Sequence, residues 1–283
     1  MKDLIIGACT NYGINELKPW VESIIETTYK EDVDRVMCVG NASEETREWL
    51  KNKRFTLIDM PQANIPVHVL RFLSIYEYLR NNWEKYRYVV TTDVKDVYFQ
   101  SNPFKWLESN IGDLTYKLVA GSESIRYKDE SWGDQNLIQT YGRYVYDQFK
   151  DNVIYNVGTI GGDSEYVKDL VFNIFTNATN RPIPIVDQAV YNVLINTQPY
   201  KDIVTKTVSW ACEAGTVVDP IKINDFRPNL MCEEPTFENG LVKYRDIVFP
   251  IVHQYDRVPE WKKFVMEQYN QDDPDSLFVY RTS

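Results

Sequence analysis

Apolar positions in the first hundred residues switch regularly between two patterns. Runs with little polar interruption, Asp3–Cys9, Val33–Val39, Phe55–Ile58 and Arg87–Thr92, read as buried strands. Between them apolar residues recur at intervals of three and four. Leu17, Trp20, Val21, Ile24 and Ile25 mark one face of a helix over Asn15–Thr28. Leu70, Leu73, Tyr76, Leu79 and Trp83 mark a long helix from Pro66 to about Tyr86. A shorter helix follows Asn41-Ala-Ser43, with the Ser43 hydroxyl placed to cap it.

Strands separated by helices of this length imply right-handed crossovers. The sequence therefore predicts an α/β fold with a Rossmann-like, mostly parallel central sheet flanked by helices. Ligands in such sheets bind beyond the carboxyl ends of the strands, which singles out Cys9–Tyr12, Asp59–Ala63 and Asp93–Asp96. The second half is less regular. Leu118–Glu123 and Val153–Gly162 read as strands, Arg126–Trp132 as a polar loop, and Glu165–Phe175 and Ile185–Ile195 as helices. Ser209–Lys243 is irregular, with Pro220, Pro228 and Pro235, and Val248–His253 is a last strand. Without repeats, low-complexity segments or a linker, residues 1–283 are expected to form one domain, divided at about residues 100 and 257, with a C-terminal helix and tail over 258–283.

The 283 residues carry a formal charge of −10, which argues against a nucleic-acid partner. No apolar run has the length of a signal peptide or a membrane span, so a cytoplasmic protein is expected. Cys9, Cys38, Cys212 and Cys232 lie far apart without CxxC spacing, which disfavours zinc and a disulfide framework. Aromatic residues make up 14% of the chain, with 20 Tyr and 7 Trp, a composition suited to stacking on sugars or bases as well as to cores.

The strongest chemical signal is Tyr88-Val-Val-Thr-Thr-Asp93-Val-Lys-Asp96-Val97, in which a buried strand delivers two carboxylates to the sheet edge. Hard cations such as Mn²⁺ or Mg²⁺ take such oxygen ligands and leave positions open for phosphates. The competing reading is a solvated turn in which Lys95 neutralises one aspartate. Of two histidines, His253 ends an apolar strand and could complete a metal site, or be a core histidine bonded to backbone; His68 opens the long helix and reads as structural or ligand-adjacent. Arg71, among apolar neighbours, wants a carboxylate or phosphate. Asp187 precedes a helix as a cap or a functional carboxylate. Asp134 is a second candidate carboxylate, and nearby Trp132 is either an acceptor-stacking platform or a core residue.

The order of these segments resembles the nucleotide-sugar-dependent glycosyltransferases of GT-A fold. The matching pieces are the strand leading into Asp93-x-x-Asp96, then Tyr155-Asn-Val-Gly-Thr-Ile-Gly-Gly162, Val186-Asp-Gln-Ala-Val-Tyr-Asn192 and Val252-His253. The resemblance covers about residues 1–257. It implies a nucleotide-binding half over 1–100 and a donor-sugar and acceptor half over 101–257. It further implies a divalent metal, Mn²⁺ or Mg²⁺, held by Asp93, Asp96 and His253. The donor would meet Thr10, Asn11, Tyr12, Arg71, Asp93, Asn156 and Gly158. Asp187, Gln188 and Asp134 are the candidate catalytic groups and Trp132 the acceptor contact. Within the group, residues 92–104 resemble bacterial and large-DNA-virus enzymes, including algal-virus transferases. That implies a UDP-sugar donor such as UDP-xylose, a glycan acceptor and, for a viral source, the host cytoplasm. The spacing departs from the family's Asp-x-Asp, so the roles of the two aspartates are not copied directly; Asp96 is expected to be the direct ligand, with Asp93 on metal or ribose. Two other readings compete. A sugar nucleotidyltransferase would need a basic glycine-rich first loop, and Gly7–Gly13 has no lysine or arginine. A non-catalytic or degenerate carbohydrate-binding protein would fit the aromatic content.

Overall fold

The computed structural model describes residues 1–112 and 115–269. The first half alternates as expected: β1 (Lys2–Cys9), α1 (Ile14–Thr28), β2 (Val33–Val39), α2 (Glu44–Asn52), β3 (Thr56–Asp59), α3 (Val67–Leu79) and β4 (Tyr86–Thr92). Ser43 caps α2, its hydroxyl accepting the Thr46 N–H at 3.1 Å. The long helix is shorter than its periodicity suggests. After Leu79, the side-chain amides of Asn81 and Asn82 donate to the carbonyls of Glu77 and Tyr78, and Trp83 falls in a single 3₁₀ turn. Asparagines that bond the last turn in this way end a helix in spite of an apolar residue at the right spacing.

The rest of the chain adds β5 (Val97–Phe99), α4 (Pro103–Ile111), β6 (Leu118–Arg126), α5 (Ser131–Tyr141), α6 (Arg143–Phe149), β7 (Val153–Asp163), α7 (Ser164–Ala178), α8 (Asp187–Ile195), β8 (Val204–Thr207) and β9 (Ala211–Glu213). The short helices α9 (Ala214–Val217) and α10 (Ile223–Phe226) follow, then β10 (Thr236–Glu238), β11 (Leu241–Tyr244), β12 (Ile247–Val248), β13 (Ile251–His253) and α11 (Pro259–Tyr269). The supposed polar loop at 126–132 already contains the start of α5, because the buried Glu130 carboxylate accepts the N–H groups of Trp132 and Gly133. The expected final strand is split at Pro250, which cannot donate to a ladder; β12 joins a hairpin and β13 a different sheet. The C-terminal helix is α11, and the expected tail lies outside the described residues.

The central sheet has seven strands in the order β3-β2-β1-β4-β7-β6-β8 and draws on both halves of the chain. Pairings are parallel from β3 through β4 and between β6 and β8, whereas β7 runs antiparallel to both its neighbours. This is the mostly parallel, helix-flanked α/β architecture expected. Two apolar layers sandwich it. One packs α3, α7 and α8 around Leu4, Phe72, Leu170 and Val190; the other packs α1 and α4 around Ile5, Trp20, Val90 and Phe104. Among the described residues no helix is long and apolar enough to cross a membrane.

A second sheet of three short strands, β5-β13-β9, sits at the carboxyl end of β4. Its register sets His253 opposite Val97 on one side and Glu213 on the other. This small sheet is what carries chemistry to the end of the large one.

Candidate metal centre

The turn after β4 is held from both sides. Gly7 leaves room for Trp20 to lie against β1; a Cβ there would stand 2.5 Å from Val94 Cγ1 and 3.0 Å from the indole. Trp20 Nε1–H then donates to Thr92 Oγ1 at 2.8 Å, and Thr92 Oγ1 donates to the Asp93 carbonyl at 2.7 Å. The Asp93 N–H donates to the Gly158 carbonyl at 2.9 Å, and the Asp96 carbonyl accepts the Gln254 N–H at 2.7 Å. Asp93 and Asp96 are thereby aimed at the same point. Lys95 points elsewhere, to Glu16 at 3.5 Å and over the Tyr12 ring at 5.5 Å, so it neutralises neither aspartate.

His253 completes the cluster. Its Nε2 lies 3.5 Å from Asp93 Oδ2 and 3.8 Å from Asp96 Oδ1, and the three side chains offer ligand atoms all within 4.8 Å of one another. Nδ1 donates to Glu213 Oε2 at 2.6 Å, and Glu213 Oε1 accepts from Thr159 Oγ1 at 2.9 Å. The ring is 2% exposed, yet Nε2 has no hydrogen-bond partner. A carboxylate on Nδ1 sets the tautomer that turns the Nε2 lone pair towards the two aspartates. Burial pulls the His253 pKa down, but Glu213 and Asp96 outweigh it and the net shift is upward. Nε2 facing two carboxylates takes up positive charge, a proton or a cation in its place, and the mixed oxygen and imidazole donor set fits Mn²⁺ well.

Arg71, on α3, bridges the two halves of the site. It pairs with Asp93 on one side and with Asp187 Oδ2 at 3.1 Å on the other. Asp187 is the first residue of α8 and does not act as its cap. Gln188 follows, its Nε2 donating to Glu123 Oε1 at 2.8 Å. The same oxygen accepts from Asn156 Nδ2 at 2.9 Å, while Asn156 Oδ1 accepts the Gly158 N–H at 2.8 Å. Gly158 is required by space: a Cβ would stand 2.7 Å from His253 Cε1 and 2.9 Å from Asp93 Oδ2.

The structure thus brings together Asp93, Asp96, His253, Arg71, Asp187, Gln188, Asn156 and Gly158. Thr10 and Asn11 instead line a neighbouring cleft of about 850 Å³ beyond β1, β2 and β3, shared with Asn41, Arg47, Asp59 and Leu70. Tyr12 is half-buried beside Lys95. The Asp134 carboxylate is taken by the hydroxyl of Tyr146, and Trp132 is 48% exposed at the start of α5, which excludes the core reading. His68 bonds the Pro184 carbonyl in the segment leading to Asp187. Sequence reasoning missed Glu123 and Glu213. The available signal was an acid inside a run of small and apolar residues, as in Trp210-Ala-Cys-Glu213-Ala-Gly215.

Solved structures share this fold. The galactosyltransferase LgtC, in complex with donor and acceptor sugar analogs, aligns over 96% of this chain and 98% of its own, with a TM-score of 0.53 and 12% identity. The apo structure of the bifunctional glycosyltransferase WbbM aligns over 88% of this chain with the same TM-score and identity, and the chain spans 45% of its length. No protein-family profile matches the sequence. No curated protein matches it either.

Proposed function

We propose that the protein is a metal-dependent glycosyltransferase that moves a sugar from a nucleoside-diphosphate sugar to a hydroxyl of a glycan acceptor. The observation that carries this reading is the buried, unpartnered Nε2 of His253 facing Asp93 and Asp96 at the carboxyl end of β4. Asp93, Asp96 and His253 would hold Mn²⁺ or Mg²⁺, which when bound neutralises charge on a diphosphate leaving group. Thr10 and Asn11 are assigned to the nucleoside on the strength of the cleft they line, and Tyr12, which lies outside that cleft beside Lys95, on the family resemblance. Arg71 ties the metal half to Asp187, so the carboxylate that anchors the sugar is set in register with the diphosphate. Asn156 and Gln188 offer fixed amides to the sugar, and the absence of a side chain at Gly158 lets it approach. Asp187 and Gln188 are preferred as catalytic groups to Asp134, whose carboxylate is occupied by Tyr146. Exposed Trp132 is the proposed stacking surface for the acceptor. UDP-xylose is the first donor to assay, because residues 92–104 resemble the algal-virus transferases.

A thermal-shift screen of UDP, GDP, CDP and ADP, each with Mn²⁺ or EDTA, tests the reading. A ligand that binds only the native state raises its melting temperature by mass action. One nucleotide stabilising the protein only with Mn²⁺, and losing that effect in Asp96→Ala, is the expected result. No shift with any nucleotide would overturn it in favour of a non-catalytic sugar-binding protein.

A further inference from the structure

Glu123, on β6, is 5% exposed, and all three of its side-chain partners are neutral donors. Oε1 accepts from Asn156 Nδ2 at 2.9 Å and from Gln188 Nε2 at 2.8 Å, and Oε2 accepts from Thr216 Oγ1 at 2.8 Å. The other ends of the two amides meet backbone donors. Gly158 N–H reaches Asn156 Oδ1 at 2.8 Å, and Val157 N–H reaches Gln188 Oε1 at 3.4 Å. An amide has two ends of nearly the same shape, and only its partners decide which is oxygen. Here a group that accepts stands on one side and groups that donate stand on the other. Both amides are clamped between Glu123 and the 157–158 backbone, the stretch of β7 that borders Asp93 and His253.

We propose that Glu123 is a positioning residue: it fixes the polarity of the Asn156 and Gln188 amides, so that both turn their carbonyl oxygens towards the metal-side backbone and keep their NH₂ groups away from it. Resting on the glycosyltransferase reading, this assigns to the sugar site a pair of pre-set acceptors for the hydroxyl hydrogens of the donor sugar. Without the carboxylate each amide is held only from the backbone side, Gln188 by the long Val157 N–H contact, so its orientation loosens, and a site whose dipoles must reorient on binding loses rate more than affinity. Thr216 belongs to the same device, since its hydroxyl holds the second carboxylate oxygen and with it the plane of the first.

Glu123→Gln tests this without changing shape. Burial, followed by Glu213, pushes the Glu123 carboxyl up to about 7, and the substitution replaces one of its two accepting oxygens by an NH₂ that only donates. In Glu123→Gln the expected result is a kcat for donor turnover lowered about tenfold or more, with the donor KM changed less than about threefold and Mn²⁺–UDP affinity unchanged. Thr216→Val, which leaves the carboxylate in place, is expected to show a smaller loss of the same kind. A readout independent of turnover is the side-chain ¹⁵N–¹H spectrum, with Asn156 and Gln188 assigned through Asn156→Asp and Gln188→Glu. Both NH₂ pairs should move in Glu123→Gln; unmoved signals overturn the clamp. So does an equal fold-loss from Glu123→Gln in the wild-type and Gln188→Ala backgrounds, because residues acting through each other are not additive. Should the wild type turn over no nucleotide sugar with Mn²⁺, the functional reading fails, while the spectra still decide the clamp.

Discussion

Gly158→Ala places one methyl group at the crowded centre of the site. The new carbon would stand 2.7 Å from His253 Cε1, 2.9 Å from Asp93 Oδ2 and 3.0 Å from Asn156 Oδ1. Carbon atoms settle at about 3.5–4.0 Å, so the imidazole or the β7 backbone must move by roughly 1 Å. The imidazole has nowhere to go. It is 2% exposed and held through Nδ1 by Glu213, which is 1% exposed and bonded to Thr159. Overpacking of this kind costs about 1–3 kcal/mol. For a chain of this size that lowers the melting temperature by roughly 2–6 °C. The displaced groups are two of the three proposed ligands, so Mn²⁺ affinity should fall by about 10–100-fold, the range seen when ligand support is lost. Gly161→Ala is the control, since its Cβ would stand 2.7 Å from Trp210 in the apolar layer, where no proposed ligand lies. Titration calorimetry of Mn²⁺ with UDP, beside melting curves, separates the two effects. Both variants should melt earlier, and only Gly158→Ala should lose metal affinity. Wild-type affinity in Gly158→Ala, or equal losses in the two, refutes the reasoning.

Three further outcomes follow from the same geometry. Glu213→Gln weakens the bond that sets the His253 tautomer and should reduce Mn²⁺ affinity by about 10–100-fold, read by paramagnetic resonance of free Mn²⁺. Arg71→Met leaves Asp187 buried beside no cation; removing one partner of a buried pair costs about 3 kcal/mol or more, and a urea midpoint unchanged from wild type would contradict the bridge. Glu123 has its pKa raised from 4.5 to about 7 in the folded chain. The native state therefore keeps a proton that the unfolded state has released between those values, and stability declines as pH rises through that window, by about 3 kcal/mol in total. Urea melts at pH 5 and pH 8 should show a decline in the wild type that is smaller in Glu123→Gln, the remainder coming from groups such as His253 whose shift is also upward.

What the sequence discloses depends on how far a feature extends along the chain. β1 to β4 and their helices are long enough to repeat a pattern, and Asp93 is legible because it ends a seven-residue strand. His253 is legible as one of only two histidines at the end of an apolar run. Glu213 is not, because β9 has three residues and no period can be read from three. Glu123 lies in a run that reads correctly as a strand, but which face it takes depends on its pairing with β7, whose register shifts between Ala120 and Ser122. The helix α5 lacks a strong apolar stripe and is set by its cap, Glu130 accepting the N–H groups of Trp132 and Gly133, whereas α4 combines buried Phe104, Leu107 and Ile111 with a cap from Asn102 to the Phe104 N–H.

The three-stranded β5-β13-β9 sheet has a bearing on biosynthesis. Chains emerge N-terminus first, and the central sheet can pair β1 to β4 as soon as the first part of the chain is out. The small sheet cannot form so early, since its middle strand is the last one described and pairs with residues from 97 and from 211 onwards. Asp93 meets Arg71 early, whereas Asp96 and the Nε2 of His253 come together only once β13 has paired. Among the described strands β13 is the last to be made, so the proposed centre of Asp93, Asp96 and His253 is assembled only after residue 253 has been added.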